Sequence, residues 1–225
     1  MALILKNGSI FLHIPKTGGN WVTHVLRKMN LIHSEVGQKH SDAARTIHAI
    51  STLRPASFSE FFLRKPIKSR LPTESIFIFT FVRNPISWYE SWFKYQSQDS
   101  RKWCYFGTEG KITDWHPNAI LNGLGHSDFN VFVKNVINKR PGYVSELMFS
   151  YTTSEVSFIG KQESIREDLC NALSMANEKY NEDLIMSEKP FGVSMPLSSR
   201  INWNEKLKKE VIKLEWPSIV RFGYK

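Results

Sequence analysis

The residues best suited to chemistry lie in one short segment, Ser9–Leu26, which reads SIFLHIPKTGGNWVTHVL. Gly18 and Gly19 form a turn, and Lys16 and Thr17 stand directly before it. An amine, a hydroxyl and glycine N–H groups that lie side by side form a concave site for phosphate and similarly shaped anions. These residue types therefore predict an anion-binding turn.

Two elements are predicted to position this turn. Ser9 to Ile14 is an apolar run with the length of a buried strand. The apolar residues after the glycines recur at helical spacing at Trp21, Val22, Val25 and Leu26. A helix therefore begins near Asn20, and its N-terminus offers unpaired N–H groups and a partial positive charge to the anion.

A second candidate site follows a second predicted strand. Ser75–Arg83 is rich in β-branched and aromatic residues, which is typical of a buried central strand. Asn84 and Pro85 then start a helix, in which Ser91 lies eight residues after Arg83. Arginine offers a bidentate fork to phosphate and serine a second donor, at the strand edge where open α/β sheets bind ligands.

Both motifs resemble those of sulfotransferases, the enzymes that use 3′-phosphoadenosine 5′-phosphosulfate (PAPS). HIPKTGGNW is similar to the 5′-phosphosulfate loop of the carbohydrate-type branch, and the cytosolic branch has a tryptophan where Trp21 stands. FVRNPISWYESWF is similar to the motif in which an arginine and a serine, eight residues apart, hold the 3′-phosphate. The PAPS-binding residues that the resemblance implies are Lys16, Thr17, Gly18, Gly19, Asn20, Trp21, Arg83 and Ser91.

The resemblance implies a P-loop-like three-layer α/β fold, with a central parallel sheet flanked by helices, in one domain over residues 1–225. The ATP-binding form of the loop has Lys-Ser/Thr where this chain has Asn20-Trp21, which disfavours an ordinary nucleotide triphosphatase.

Start signals and hydrophobic periodicity predict the remaining elements. We expect helices over Ser57–Leu63 and Ser127–Asn138, a strand over Glu155–Gly160, a helix opened by a capping box at Ser164–Glu167, a last helix from Asn202 to Trp216, and an edge strand over Ile219–Phe222. The long aromatic connection Gln96–Ser127 is predicted to be an acceptor-binding lid. Further phosphate donors are predicted at Ser198, Ser199 and Arg200. Glu163 is predicted to orient its neighbours rather than to act as an acid or base.

Sulfuryl transfer requires charge neutralisation on the departing 3′,5′-bisphosphoadenosine and usually a base. We assign Lys16 to the bridging oxygen of the leaving phosphate. Histidine is the commonest base near neutral pH, and related sequences carry a Lys-His or Lys-x-His near the acceptor, which favours His40. The alternatives that stay open are His48, Glu35 and His116. His13, on a buried strand, is not expected to take part.

Composition limits the ligands and partners. The chain has 30 Lys and Arg against 21 Asp and Glu, a formal charge of +9, which suits an acidic ligand. The apolar runs are far shorter than a membrane span, and we expect a cytoplasmic protein. Cys104 and Cys170 show no metal-ligand spacing, so no metal is expected.

The sequence thus predicts a PAPS-dependent sulfotransferase that acts on a hydroxyl of a carbohydrate or similar acceptor, without nucleic acid as a partner. Two alternatives from other classes stay open. A kinase or nucleotide triphosphatase would turn over ATP with magnesium. A basic RNA- or glycan-binding module on the same fold would show salt-sensitive binding that persists in Lys16→Ala.

Overall fold

The computed structural model describes residues 2–37, 40–52, 76–97, 116–192 and 201–225. Over these ranges the chain forms an α/β fold with an open mixed sheet of five strands, flanked by helices. The strands are β1 (Ala2–Leu5), β2 (Ile10–Leu12), β3 (Ile32–Val36), β4 (Ile78–Val82) and β5 (Phe158–Lys161).

At least one helix follows each strand from β2 onward. They are α1 (Gly19–Lys28), α2 (Ala43–Thr52), α3 (Pro85–Gln96), α4 (Phe129–Lys139), α5 (Tyr143–Phe149), α6 (Ile165–Met175), α7 (Glu182–Ser187), α8 (Glu205–Leu214) and α9 (Trp216–Arg221). Short 3-10 turns cover Pro117–Leu121 and Gln162–Ser164.

The strand order is β3-β1-β2-β4-β5. β2, β4 and β5 are parallel neighbours, whereas β1 is antiparallel to both β2 and β3. The prediction of a parallel sheet is therefore wrong for this half of the sheet. The cause is the tight turn between β1 and β2, where Leu5 N donates to Ser9 O at 2.8 Å, because so short a connection permits only an antiparallel pair.

Both faces of the sheet are buried. Along β2, Ile10 and Leu12 pack into one apolar cluster with α3, α4 and α5, while Phe11 packs into the other with α1 and α6. A strand that is covered on both faces has apolar residues at successive positions in the sequence. This pattern allowed β2 and β4 to be predicted as buried strands.

Most of the predicted helices are confirmed, with shifted ends. Asn84 caps α3 by accepting from Ile86 N at 2.9 Å, and Asp128 caps α4 by accepting from Val131 N at 3.0 Å. The last predicted helix begins at Glu205, after the cap Asn204, rather than near Asn202.

Two local predictions are wrong. No strand forms at the expected position 219–222: residues 219–221 belong to α9, in which Pro217 occupies the first turn, and Phe222 is the C-cap. The capping box at α6 does not form, because Ser164 Oγ donates to Asp168 Oδ2 at 2.8 Å rather than accepting from the helix.

The predicted helix over 57–63, Cys104 with most of the aromatic connection (98–115), and Ser198, Ser199 and Arg200 lie outside the described residues. Within the described ranges, no helix has both the length and the apolar character required to cross a bilayer.

Candidate functional site

The segments that follow β2, β4 and β5 meet at one edge of the sheet. Because these strands are parallel neighbours, their carboxyl ends lie at the same edge, where ligands of α/β proteins bind. A cavity of about 540 Å³ lies there. It is lined by Lys16 and residues 18–21 after β2, Arg83 after β4, and Gln162 and Arg166 after β5.

The glycine turn has a left-handed backbone and ends at a helix N-terminus. Lys16 has φ 68° and Gly18 has φ 84°. Gly18 is the N-cap of α1, and no side chain caps the first turn of this helix. The first N–H groups of α1 therefore lie at the cavity wall without a side-chain acceptor, as an anion-binding helix N-terminus requires.

Packing also leaves little room for a side chain at either glycine. A Cβ on Gly18 would lie 2.3 Å from Cδ1 of Ile165, and a Cβ on Gly19 would lie 2.0 Å from Cδ2 of His13. Real Cβ atoms do not approach other atoms this closely. The imidazole of His13 therefore packs directly against the turn.

The side chains of Lys16 and Thr17 differ in their placement. Lys16 lines the cavity, and its Nζ lies 4.1 Å from the ring centroid of Tyr95, a cation–π distance. Thr17 is buried, and its Oγ1 donates to the carbonyl oxygen of Ile14 at 3.0 Å. The hydroxyl therefore stabilises the turn through the backbone. The other predicted binding residues line the cavity, but Thr17 does not.

Arg83 is half-buried at the carboxyl end of β4. Its Nε donates to Ser87 Oγ at 3.1 Å and its Nη1 to the backbone carbonyl of Lys16 at 3.3 Å. Burial lowers the pKa of Arg83, while Glu163 and Glu90 raise it, and a guanidinium stays protonated in proteins. The bond to Lys16 ties the two predicted phosphate motifs together, and Ser91 lines the same cavity.

Glu163 holds the segment after β4 to the chain terminus. It accepts from Asn84 N at 2.8 Å and from Tyr224 OH at 3.2 Å. Burial, and then the carboxylate of Glu163, raise the pKa of the Tyr224 hydroxyl. These contacts agree with the orienting role that the sequence predicts for Glu163.

Arg166 is a cationic residue that lines the cavity and that the sequence motifs did not indicate. Its Nη2 donates to the carbonyl oxygen of Glu188 at 2.7 Å, and its Cζ lies 5.5 Å from the ring of Trp21. Trp21 Nε1 in turn donates to Lys189 O at 3.1 Å. Its position in the sequence could have indicated this role, because Arg166 comes shortly after β5, as Arg83 comes directly after the parallel strand β4.

His40 is buried beside the turn and is held from two sides. Its carbonyl oxygen accepts from Tyr151 OH, and its Nδ1 lies 3.0 Å from the carbonyl oxygen of His13. A carbonyl oxygen can only accept, so Nδ1 must carry a proton. In the neutral ring Nε2 then carries no proton. A general base requires such an unprotonated nitrogen.

His116 lies next to His40, with ring centroids 4.8 Å apart. Its Nδ1 accepts from Asn118 N at 3.0 Å, so in the neutral ring the proton is on Nε2. The ring centroids of His13 and His40 lie 4.5 Å apart, and His13 also lines the cavity. His13 is buried, as expected for a residue at the end of a buried strand, and its exclusion from the chemistry stays a prediction.

The structure separates the candidate bases into two groups. His40 and His116 line the cavity, whereas His48 and Glu35 do not. His48 is exposed on α2, and Glu35 on β3 pairs with Arg27 at 2.7 Å. His40 and His116 are thus the candidates that lie beside the Lys16 turn.

No family model matches the chain, and neither a curated protein nor a solved structure matches it. Among the described residues, no group of three or more His, Cys, Asp or Glu side chains is arranged to hold a metal ion. The function of this site is therefore inferred from its own residues and from the two motifs.

Proposed function

We propose that this chain is a PAPS-dependent sulfotransferase that transfers a sulfuryl group to a hydroxyl of a carbohydrate or similar acceptor. The observation that carries the proposal is the joining of two motifs in one cavity. Arg83 Nη1 donates to Lys16 O across 67 residues of sequence. A nucleotide with phosphates at both its 3′ and 5′ positions requires two cationic binding sites in one cavity, one for each phosphate.

Four cationic side chains and three carboxylates line the cavity, and its net positive lining and its size support an anionic nucleotide as ligand. The cations are Lys16, Arg83, Lys94 and Arg166, and the carboxylates are Glu90, Glu163 and Glu167. The N-terminus of α1 with Lys16 suits the 5′-phosphosulfate, and Arg83 with Ser91 suits the 3′-phosphate. A volume of about 540 Å³ lies in the ordinary range for small-molecule sites. The strand β2, the glycine turn and α1, beside the parallel β4 and β5, also favour the P-loop-like fold that the resemblance implies. A cytoplasmic location stays a prediction from the sequence.

The reaction is a single in-line displacement at sulfur. The acceptor oxygen forms a bond to sulfur while the bond between sulfur and the bridging phosphate oxygen breaks. The electron pair of that bond stays on the phosphate oxygen, whose charge Lys16 and the α1 N-terminus offset. The acceptor proton goes to Nε2 of His40. The products are a sulfate ester and 3′,5′-bisphosphoadenosine, called the bisphosphate below.

Calorimetric titration with the bisphosphate, AMP and ATP with magnesium tests this function. We expect micromolar affinity for the bisphosphate, at least about tenfold above AMP, since a phosphate bound by arginine contributes a charge-assisted hydrogen bond pair. Lys16→Ala and Arg83→Ala should each weaken this binding. Lys209→Ala and Arg27→Ala are matched controls, because both cations are exposed and outside the cavity.

Equal affinity for the bisphosphate and AMP would overturn the assignment. Magnesium-dependent turnover of ATP would identify a kinase or nucleotide triphosphatase instead. Salt-sensitive RNA binding that Lys16→Ala leaves unchanged would identify a nucleic-acid-binding module.

A further inference from the structure

One face of α3 carries a carboxylate beside the proposed 3′-phosphate site. Glu90 and Ser91 both line the cavity, and they lie three and four residues after Ser87 in this helix. Residues at these spacings share one face of a helix. Ser87 Oγ accepts from Nε of Arg83 at 3.1 Å, so Arg83, Ser91 and Glu90 belong to the same part of the cavity wall.

The carboxylate of Glu90 is held by a neutral partner. Its Oε1 accepts from Nε1 of Trp203 at 2.8 Å, and the ring of Trp203 packs edge-on against Phe129 at a centroid distance of 4.7 Å. Within the described ranges, the ion pairs of the chain do not include Glu90. Its negative charge is therefore kept at the cavity wall without a direct ionic partner there.

This charge acts on Arg83. Burial lowers the pKa of Arg83, and the carboxylates of Glu163 and then Glu90 raise it. Glu163 is already engaged by Asn84 N and by the hydroxyl of Tyr224. Glu90, in contrast, shares its helix face with Ser91. A carboxylate that attracts the guanidinium in the empty site repels a phosphate that binds to the same guanidinium.

We propose that Glu90 sets how tightly the site holds its nucleotide, because its carboxylate opposes the 3′-phosphate at Arg83 and Ser91 and so speeds release of the bisphosphate. This inference rests on the proposed function. The cations and the helix N-terminus all favour a tightly bound product, and product release limits the turnover of many enzymes. PAPS and the bisphosphate both carry the 3′-phosphate, so the repulsion weakens both and favours turnover over affinity.

A purely structural role for Glu90 predicts a different result. If the residue only anchored Trp203, its replacement would weaken nucleotide binding or leave it unchanged, whereas a repulsive charge predicts tighter binding once it is removed. Glu90→Gln removes the charge and keeps an oxygen that accepts from Trp203 Nε1, so the fold should be kept. Glu90→Asp keeps the charge and is the conservative variant.

The first test is calorimetric titration of these variants with the bisphosphate and with AMP. Glu90→Gln should bind the bisphosphate about three- to tenfold more tightly than the wild-type chain, the size of a charge interaction in a half-buried site. The affinity for AMP, which lacks the 3′-phosphate, should change much less, and Glu90→Asp should not show the gain. Glu210→Gln is the matched control, because Glu210 is exposed and lies outside the cavity.

The second test measures dissociation of the bisphosphate by surface plasmon resonance. Dissociation from Glu90→Gln should be slower than from the wild-type chain by about threefold or more, since differences in affinity between variants of one site lie mostly in this rate. The gain in affinity should also be larger at about 0.05 M than at about 0.5 M NaCl, because salt screens the repulsion.

Unchanged or weaker bisphosphate binding in Glu90→Gln, an equal gain for AMP, a gain that Glu90→Asp shares, or a gain with no slower dissociation or no dependence on salt would overturn the inference. Failure of the proposed function is a separate result, since it would appear as equal affinity of the wild-type chain for the bisphosphate and AMP.

Discussion

Nη1 of Arg83 donates a hydrogen bond of 3.3 Å to the backbone carbonyl oxygen of Lys16. This bond joins the end of β4 to the turn after β2, two segments that parallel pairing places side by side. A second donor, Nε, is used by Ser87 at 3.1 Å. The guanidinium is therefore oriented from two sides before any ligand binds, which reduces the entropy lost on binding a phosphate.

Arg83→Lys should weaken binding of the bisphosphate by about tenfold or more, because an ammonium cannot hold Ser87 and Lys16 O and still form a bidentate contact. Binding of AMP, which lacks the 3′-phosphate, should change little. Calorimetry with both nucleotides measures the difference, and Arg27→Lys on the exposed face of α1 is the control. An equal loss for AMP would mean that Arg83 only supports the turn.

His40→Asn should lower the sulfuryl-transfer rate by roughly 10²- to 10⁴-fold, the ordinary contribution of a general base. Asparagine tolerates the left-handed backbone of this position, where φ is 67°, so the loop should be kept. Affinity for the bisphosphate should not change. The rate of bisphosphate release from PAPS checks this, with the exposed His48→Asn as control. A rate within a factor of three of the wild type would show that His40 is not the general base.

Tyr151→Phe should lower kcat without changing KM for PAPS. The Tyr151 hydroxyl donates to the His40 carbonyl, so its loss frees the backbone that positions the imidazole. Tyr89→Phe is the matched control, since it also removes a buried hydroxyl, one that donates to Glu215 at 2.8 Å outside the cavity. Both variants should lose about 1 kcal/mol of unfolding free energy. Equal kcat values in the two would contradict a positioning role.

Glu215→Ala should destabilise the chain by about 3–5 kcal/mol, measured by urea unfolding. The carboxylate is fully buried and accepts from Tyr89 OH, from Val144 N, and from both N and Oγ of Ser145. Its removal leaves these four buried donors without their acceptor, and at the usual net value of about 1 kcal/mol for each hydrogen bond the loss is about 4 kcal/mol. The exposed Glu210→Ala should change stability by less than about 0.5 kcal/mol. A loss below 1 kcal/mol for Glu215→Ala would show that water replaces the carboxylate.

Stability should decrease as the pH rises above about 10. Burial raises the pKa of Tyr89 and Tyr143 well above the value of 10.0 that applies to the unfolded chain. Above that pH the unfolded chain loses phenolic protons that the folded chain retains, so the unfolding free energy decreases, and below it the full stabilisation is present. Thermal unfolding from pH 8 to 11.5 measures the decrease, and Tyr89→Phe should make it shallower. A constant Tm over this range would contradict these shifts.

Local signals determined much of the site in the sequence. The Gly18-Gly19 turn before α1 and the Asn84-Pro85 start of α3 are short-range patterns, and both elements begin where these patterns place them. Such signals act through backbone conformations and capping bonds within a few residues, so they are readable without the fold. The same kind of signal can also be misread: Trp216-Pro217 is predicted to end the preceding helix, whereas Pro217 occupies the first turn of α9.

Tertiary structure alone decided which side chains share the cavity. The choice of His40 and His116 over His48 and Glu35, and the presence of His13 and Arg166, depend on the pairing of β2, β4 and β5. These strands come from distant parts of the chain, and no local pattern encodes their register. In His40 and His116 the protonated nitrogen is set by a backbone atom beside the ring, the His13 carbonyl oxygen and the Asn118 N–H.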